Sequence, residues 1–139
     1  MVVQAVAGRE RGGESEKITL NLGHVDLGRI DLLVQEGFYS NRTDFIRTAI
    51  RGQLASHAEA VDRSVARHAL EMGLVTYDRA ALEAVRDAGR VLHVRVLGLA
   101  RIAADVPADL ARATIASINV LGALQASPEV KKALADRIH

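Results

Sequence analysis

Cysteine and tryptophan are absent from this sequence of 139 residues, and aromatic residues make up only 3% of it. The missing thiol excludes a disulfide, a thiolate metal site and a cysteine nucleophile. Any core must be assembled mainly from Leu, Val, Ile and Ala, within a hydrophobic content of 49%. No apolar run approaches the ~20 residues that cross a bilayer, so no membrane contact is expected. The N-terminus lacks the charged start and long apolar stretch of a secretion signal. A cytoplasmic chain of one ordinary domain or two small ones is the expectation. A surplus of one charge is lacking too. The formal net charge is +1: residues 1–57 sum to zero, 58–89 to −2 and 90–139 to +3. Bulk attraction to a polyanion is therefore weak, and contacts with nucleic acid must come from local geometry.

Catalytic and metal patterns are also missing. Gly98 and Gly122 lead into no GxGxxG sequence, no phosphate loop appears, and Ser40 has no neighbouring base. An enzyme is not expected, and no cofactor is implied. Of the five histidines, His57 and His68 stand three helical turns apart, and His93 lies alone in a strand-like run, so no metal site is expected.

What is present is patterned. Residues 1–16 combine a short apolar start with Gly and charge, which predicts a flexible arm. Lys17-Ile18-Thr19-Leu20-Asn21-Leu22 alternates strictly, placing Ile18, Leu20 and Leu22 on one face and Lys17, Thr19 and Asn21 on the other. Asp26 is the predicted N-cap of a helix running to about Glu36, with Leu27, Ile30, Leu33 and Val34 on one side and Gly37 as its left-handed stop. Ser40 is the predicted N-cap of a second helix, whose inward stripe is Phe45, Ile46, Ala49, Ile50 and Leu54. Three of the four aromatics, Phe38, Tyr39 and Phe45, gather at this junction.

One strand and two short helices cannot close a core. A two-fold partner solves the problem: two strands pair antiparallel, and Ile18, Leu20, Leu22, Ile30, Leu33, Phe45, Ile46, Ala49 and Ile50 of each chain form the dimer core. The outer face of that ribbon then presents Lys17, Thr19 and Asn21 twice. A two-stranded ribbon fits the major groove of B-DNA, where such side chains reach base edges. The start of the second helix, Ser40-Asn41-Arg42, offers backbone N–H groups to a phosphate.

The strand, the run Arg29-Ile30-Asp31-Leu32-Leu33-Val34 and the stretch Gly37-Phe38-Tyr39-Ser40-Asn41-Arg42-Thr43-Asp44-Phe45-Ile46-Arg47 resemble the CopG-type ribbon-helix-helix family. The resemblance covers about residues 16–56. It implies a homodimer that binds double-stranded operator DNA, usually to repress transcription. It also implies base contact by Lys17, Thr19 and Asn21 and phosphate contact by Ser40, Asn41 and Arg42.

Beyond residue 57 the helical pattern is predicted to run through Ala58–Met72 and end at Gly73, followed by a helix capped by Asp78 and closed by Gly89. Strand-like runs then occupy 91–97 and 115–121, each continuing into Val-Leu-Gly. Val96-Leu97-Gly98 recurs as Val120-Leu121-Gly122, 24 residues later. Two copies predict a pair of strand-turn units rather than a solenoid. A short helix opens at Pro107, and a last one runs from Pro128 to about Ile138. The expected fold is α+β. A ribbon-helix-helix domain over 17–56 forms an intertwined homodimer, and a helical linker over 57–89 leads to a small mixed α/β domain over 90–139. Three roles for the second half stay open: a further oligomerisation module, an effector-binding regulatory domain, or the toxin-binding half of an antitoxin. A self-assembling scaffold without DNA binding is the remaining alternative.

Overall fold

The computed structural model describes residues 15–139, so the arm expected over 1–16 lies outside the described residues up to position 14. The chain divides into two compact units, Lys17–Ser64 and Val65–His139, with Ser15 and Glu16 belonging to the second.

In the first unit, α1 spans His24–Gln35 and α2 spans Arg42–Ser56. The start of α1 differs from expectation. Gly23 is its N-cap, without a side-chain bond, and Asp26 falls inside the first turn. There its carboxylate faces the positive end of the helix dipole, which suits an acidic residue as well as the capping position does. The end of α1 is as predicted: Gly37 has φ +89°, and the N–H groups of Gly37 and Phe38 donate to the carbonyls of Val34 and Leu33 at 3.1 and 2.9 Å. The cap of α2 is Asn41 rather than Ser40. The Asn41 side chain accepts the Asp44 N–H at 2.8 Å, while the Asp44 carboxylate accepts the Ser40 N–H at 2.9 Å. This is a reciprocal capping arrangement, moved one residue along because the Asn amide reaches the third N–H of the helix.

The next helix, α3, spans Ala58–Arg67 and stops five residues short of the predicted Met72. Ala69 takes a left-handed conformation at φ +53°, and Glu71–Tyr77 is a strand, β1. Val75, Thr76 and Tyr77 favour extended backbone, and Gly73 sits at φ +120°, where no helix can continue. The stretch 57–89 is therefore not wholly helical. It holds α3, β1 and then α4 (Arg79–Asp87), which Asp78 caps as expected by accepting the Ala81 N–H.

The rest of the second unit alternates regularly: β2 (Leu92–Ile102), α5 (Ala108–Thr114), β3 (Ile115–Gln125), α6 (Pro128–Ala133) and a closing 3-10 turn, Ala135–Arg137. All three strands are parallel, in the order β1-β2-β3. Parallel neighbours need crossover helices, and here α4 packs beside α5 and α5 beside α6. The core lies between helices and sheet, where Leu82, Leu110, Ala111, Val130 and Leu134 meet Val94, Val96, Ala100, Ile102, Ile115 and Ile118.

The sheet contains three copies of the strand-turn unit, not two. Gly73, Gly98 and Gly122 stand opposite one another in register, at φ +120°, +137° and +123°. A Cβ on Gly98 would collide with the Gly73 carbonyl oxygen, and one on Gly122 with the Gly98 carbonyl oxygen. Met72-Gly73-Leu74 is the third copy, whose Met72-Gly73 the sequence pattern assigns to the end of a helix.

Candidate nucleic-acid interface

The site is built from the extended segment before α1 and the junction between α1 and α2. Lys17–Leu22 pairs with no strand among the described residues. Its alternation leaves Lys17, Thr19 and Asn21 exposed on one side. On the other, Ile18 and Leu20 are 79% and 60% exposed. Leu22 is half-buried and turns toward a groove of about 290 Å³ lined by Leu22, Asp26, Arg29, Ile30, Leu33 and Phe45.

That groove is almost all the core this unit has. Ile30, 5% exposed, is buried, while Leu33, Phe45 and Ile46 are half-buried and Ala49 and Ile50 exposed. No residue of the fifteen-residue helix α2 is buried. Tyr39 packs edge-on against Phe45, ring centroids 5.0 Å apart, which fixes the α1–α2 corner where three aromatics were expected to gather. Of the residues named from the sequence as core, Leu22, Ile30, Leu33 and Phe45 line one groove, whereas Ile18, Leu20, Ala49 and Ile50 are exposed in the single chain.

The corner has a second fastening that the sequence reading did not identify. Arg42 donates from Nε to Asp31 Oδ1 at 2.8 Å and from Nη2 to Asp31 Oδ2 at 2.9 Å. Its hydrogen bonds hold the Asp31 carboxyl below its ordinary pKa, with the opposite charge adding to the effect, and Asp31 in turn raises Arg42. Two of the five guanidinium N–H groups are thereby committed within the chain. Nothing in the spacing of positions 31 and 42 signals this pair, since they lie on different helices. Ser40 and Asn41 hold the start of α2 through Asp44, as described. The Asp44 N–H is taken by the Asn41 side chain and the Phe45 N–H by the Asn41 carbonyl, and the Asp44 carboxylate in the first turn opposes an approaching anion.

Among the described residues no group of three or more His, Cys, Asp or Glu side chains could hold a metal. His93 meets Ser117 Oγ at 2.9 Å, and His57 meets Gln53 at 3.3 Å. No described helix is long and apolar enough to cross a membrane.

A family model described as the Ribbon-Helix-Helix transcriptional regulator family matches residues 13–131. The chain belongs to this family. The match agrees with the resemblance found over 16–56 and extends well past it, so the parallel sheet and the start of α6 are also part of what the family model covers. Comparison with curated proteins and with solved structures gave no match. The matched range holds the unpaired segment Lys17–Leu22 as well as α1 and α2. The family is one of transcriptional regulators, not of enzymes.

Proposed function

We propose that this regulator is a homodimeric, sequence-specific DNA-binding protein, acting as a repressor, whose paired Lys17–Leu22 strands read the major groove. One observation carries the reading: Ile18 and Leu20 stand largely exposed on the strand, beside a half-filled groove and an α2 with no buried residue. Burying a Leu or Ile side chain contributes roughly 1.5–3 kcal/mol. A second copy supplies both the missing strand and the missing half of the core. Ile18, Leu20, Leu22, Ile30, Leu33, Phe45, Ile46, Ala49 and Ile50 of each chain then close on one another. Lys17, Thr19 and Asn21 are left outward to contact base edges.

Phosphate contact falls to the start of α2, where Ser40 and Asn41 shape the turn and backbone N–H groups face out. Arg42 has a divided role: its bidentate bond to Asp31 sets the α1–α2 angle, and its remaining N–H groups reach for phosphate. A toxin-ordered tail is disfavoured, since residues 65–139 close a core of their own. The decisive experiment incubates the protein with sheared genomic DNA and sequences what is retained, beside Lys17→Ala/Thr19→Ala/Asn21→Ala. Enrichment of a short, near-palindromic site that the triple variant loses is the expected outcome. Retention of the same site by the triple variant would remove the ribbon as the reader.

A further inference from the structure

The parallel sheet ends on each side in a strand with one edge unpaired among the described residues: β1 and β3 each pair only with β2. Proteins that keep such edges apart guard them with Lys, Pro or a bulge. Neither edge carries Lys or Pro, and the one irregularity of β3, between its pairs Ile115–Leu92 and Ser117–His93, lies ahead of Val120. Glu71 is the one charged residue of β1, and Val120–Gln125 of β3 has none.

The chain's own tail touches β3 only ahead of that stretch. Ile138 bridges to Ile118 in parallel, and the His139 N–H donates to the Ile118 carbonyl at 2.8 Å. The tail is pinned there: Arg137 donates to the Arg112 and Ile115 carbonyls at 2.6 and 2.7 Å. Arg112 donates in turn to the Ala133 carbonyl and to Asp136. Val120–Leu124 is left clear of the tail, abreast of Glu71–Val75 in the register carried through β2.

The glycines make the two edges complementary. Within the chain each glycine carbonyl seats against the Cα of the next glycine, Gly73 on Gly98 and Gly98 on Gly122. Gly122 has no following glycine in the chain to seat its own carbonyl. Gly73 keeps the same left-handed φ, yet among the described residues nothing lies within 4 Å of where its Cβ would stand. One edge therefore carries a carbonyl without a seat, and the other a seat without a carbonyl.

We propose that the C-terminal sheet extends head to tail between copies, the free edge of β3 in one adding in parallel to the free edge of β1 in the next, with Gly122 opposite Gly73. Continuation of the register sets Leu121 beside Met72 and Ala123 beside Leu74 of the next copy. The row Met72, Leu97, Leu121 supports this. Leu97, flanked on both sides, is half-buried, whereas Met72 and Leu121 at the ends are 56% and 55% exposed. On the helix-covered face, Ala100 between Val75 and Leu124 is fully buried, while its two neighbours are only half-buried. An interface of this kind is heterologous, so it does not close after two copies and adds units with concentration. The inference stands apart from the DNA-binding reading, because it concerns other residues.

Sedimentation and light scattering of the full chain test it, without DNA, from micromolar to near-millimolar concentration. The wild-type mass is expected to climb to at least about twice that of its smallest species. Met72→Glu and Leu121→Lys alter exposed side chains and should leave the fold intact by circular dichroism. Each alone is expected to stop the climb. The double variant Met72→Glu/Leu121→Lys, which sets Glu against Lys at every junction, is expected to restore it. A wild-type mass that does not change with concentration would overturn the proposal. So would a climb that only one single variant stops, since that describes like edges pairing, or a double variant that fails to recover.

Discussion

The two units of this chain handle the same difficulty in opposite ways. Between Val65 and His139 a twelve-residue buried cluster closes inside one copy, with helices laid along a parallel sheet. Between Lys17 and Ser64 one hydrophobic side chain, Ile30, is buried. The apolar stripes of the first unit are no less regular; what differs is the number of elements available to cover them. Two helices and an extended segment leave their apolar face open, whereas three strand-helix repeats bury one face of the sheet beneath helices. Stability is thus a property of the single chain in one unit, and in the proposed dimer it becomes a property of the assembly in the other.

The largest effect expected from breaking this contrast is at Gly98. Alanine there meets the Gly73 carbonyl and must adopt φ +137°, which should cost more than ~4 kcal/mol and unfold the sheet. Gly73→Ala carries the backbone strain without a collision and should cost only ~1–3 kcal/mol. Hydrogen exchange of the β2 amides measures the gap, and equal losses would mean the stacked carbonyls are irrelevant.

Leu20→Lys acts on the other side of the comparison. It should convert the protein to a form lacking the N-terminal dimer, with α1 and α2 exchanging freely, while the amides of Val94 and Ile118 keep their protection. Protection lost in both units would show that the sheet also depends on the ribbon.

The smallest effect is expected at Asp31. Its folded pKa is depressed by Arg42, so the pair's stabilisation is complete above the unfolded carboxylate value. That stabilisation disappears as pH falls through the lower folded value, below about pH 4. Melting curves of Asp31→Asn should therefore converge on wild type in acid and fall slightly below it at neutral pH. Asp31→Ala also frees Arg42, so DNA binding should tighten at low salt, with a salt slope steeper by about one. An unchanged slope would leave Arg42 with a purely structural role.

The two N-terminal helices are legible because their signals are local, apolar stripes at helical spacing and Gly37 as a stop. The period of two in Lys17–Leu22 meets no partner strand among the described residues and stays an extended segment. The capping residues were misplaced by one position at α2 and three at α1, since Asn41 competes with Ser40, and Asp26 is useful inside the first turn as well as before it. Met72-Gly73-Leu74 was read as a helix end because glycine after an apolar run carries that meaning in isolation. Only the register with Gly98 and Gly122 reveals it as a strand position, and register between segments is not written in either segment alone. The Arg42–Asp31 bond escaped for the same reason, as it is made by the angle between two helices.

The aligned glycines also give the C-terminal unit a phase reference. The path from Gly73 to Gly98 is one residue longer than that from Gly98 to Gly122, yet all three stand abreast. Length differences are taken up in the crossovers, whose loops can lengthen or shorten at little entropic cost, and at the irregularity near the start of β3, where Leu92 and His93 face Ile115 and Ser117. A residue inserted between a glycine and the end of its strand has no such outlet. It would slide every later side chain to the opposite face of the sheet. The crossovers of this protein can therefore accept an inserted sequence, such as a tag or a reporter loop, at positions where its strands cannot accept a single alanine.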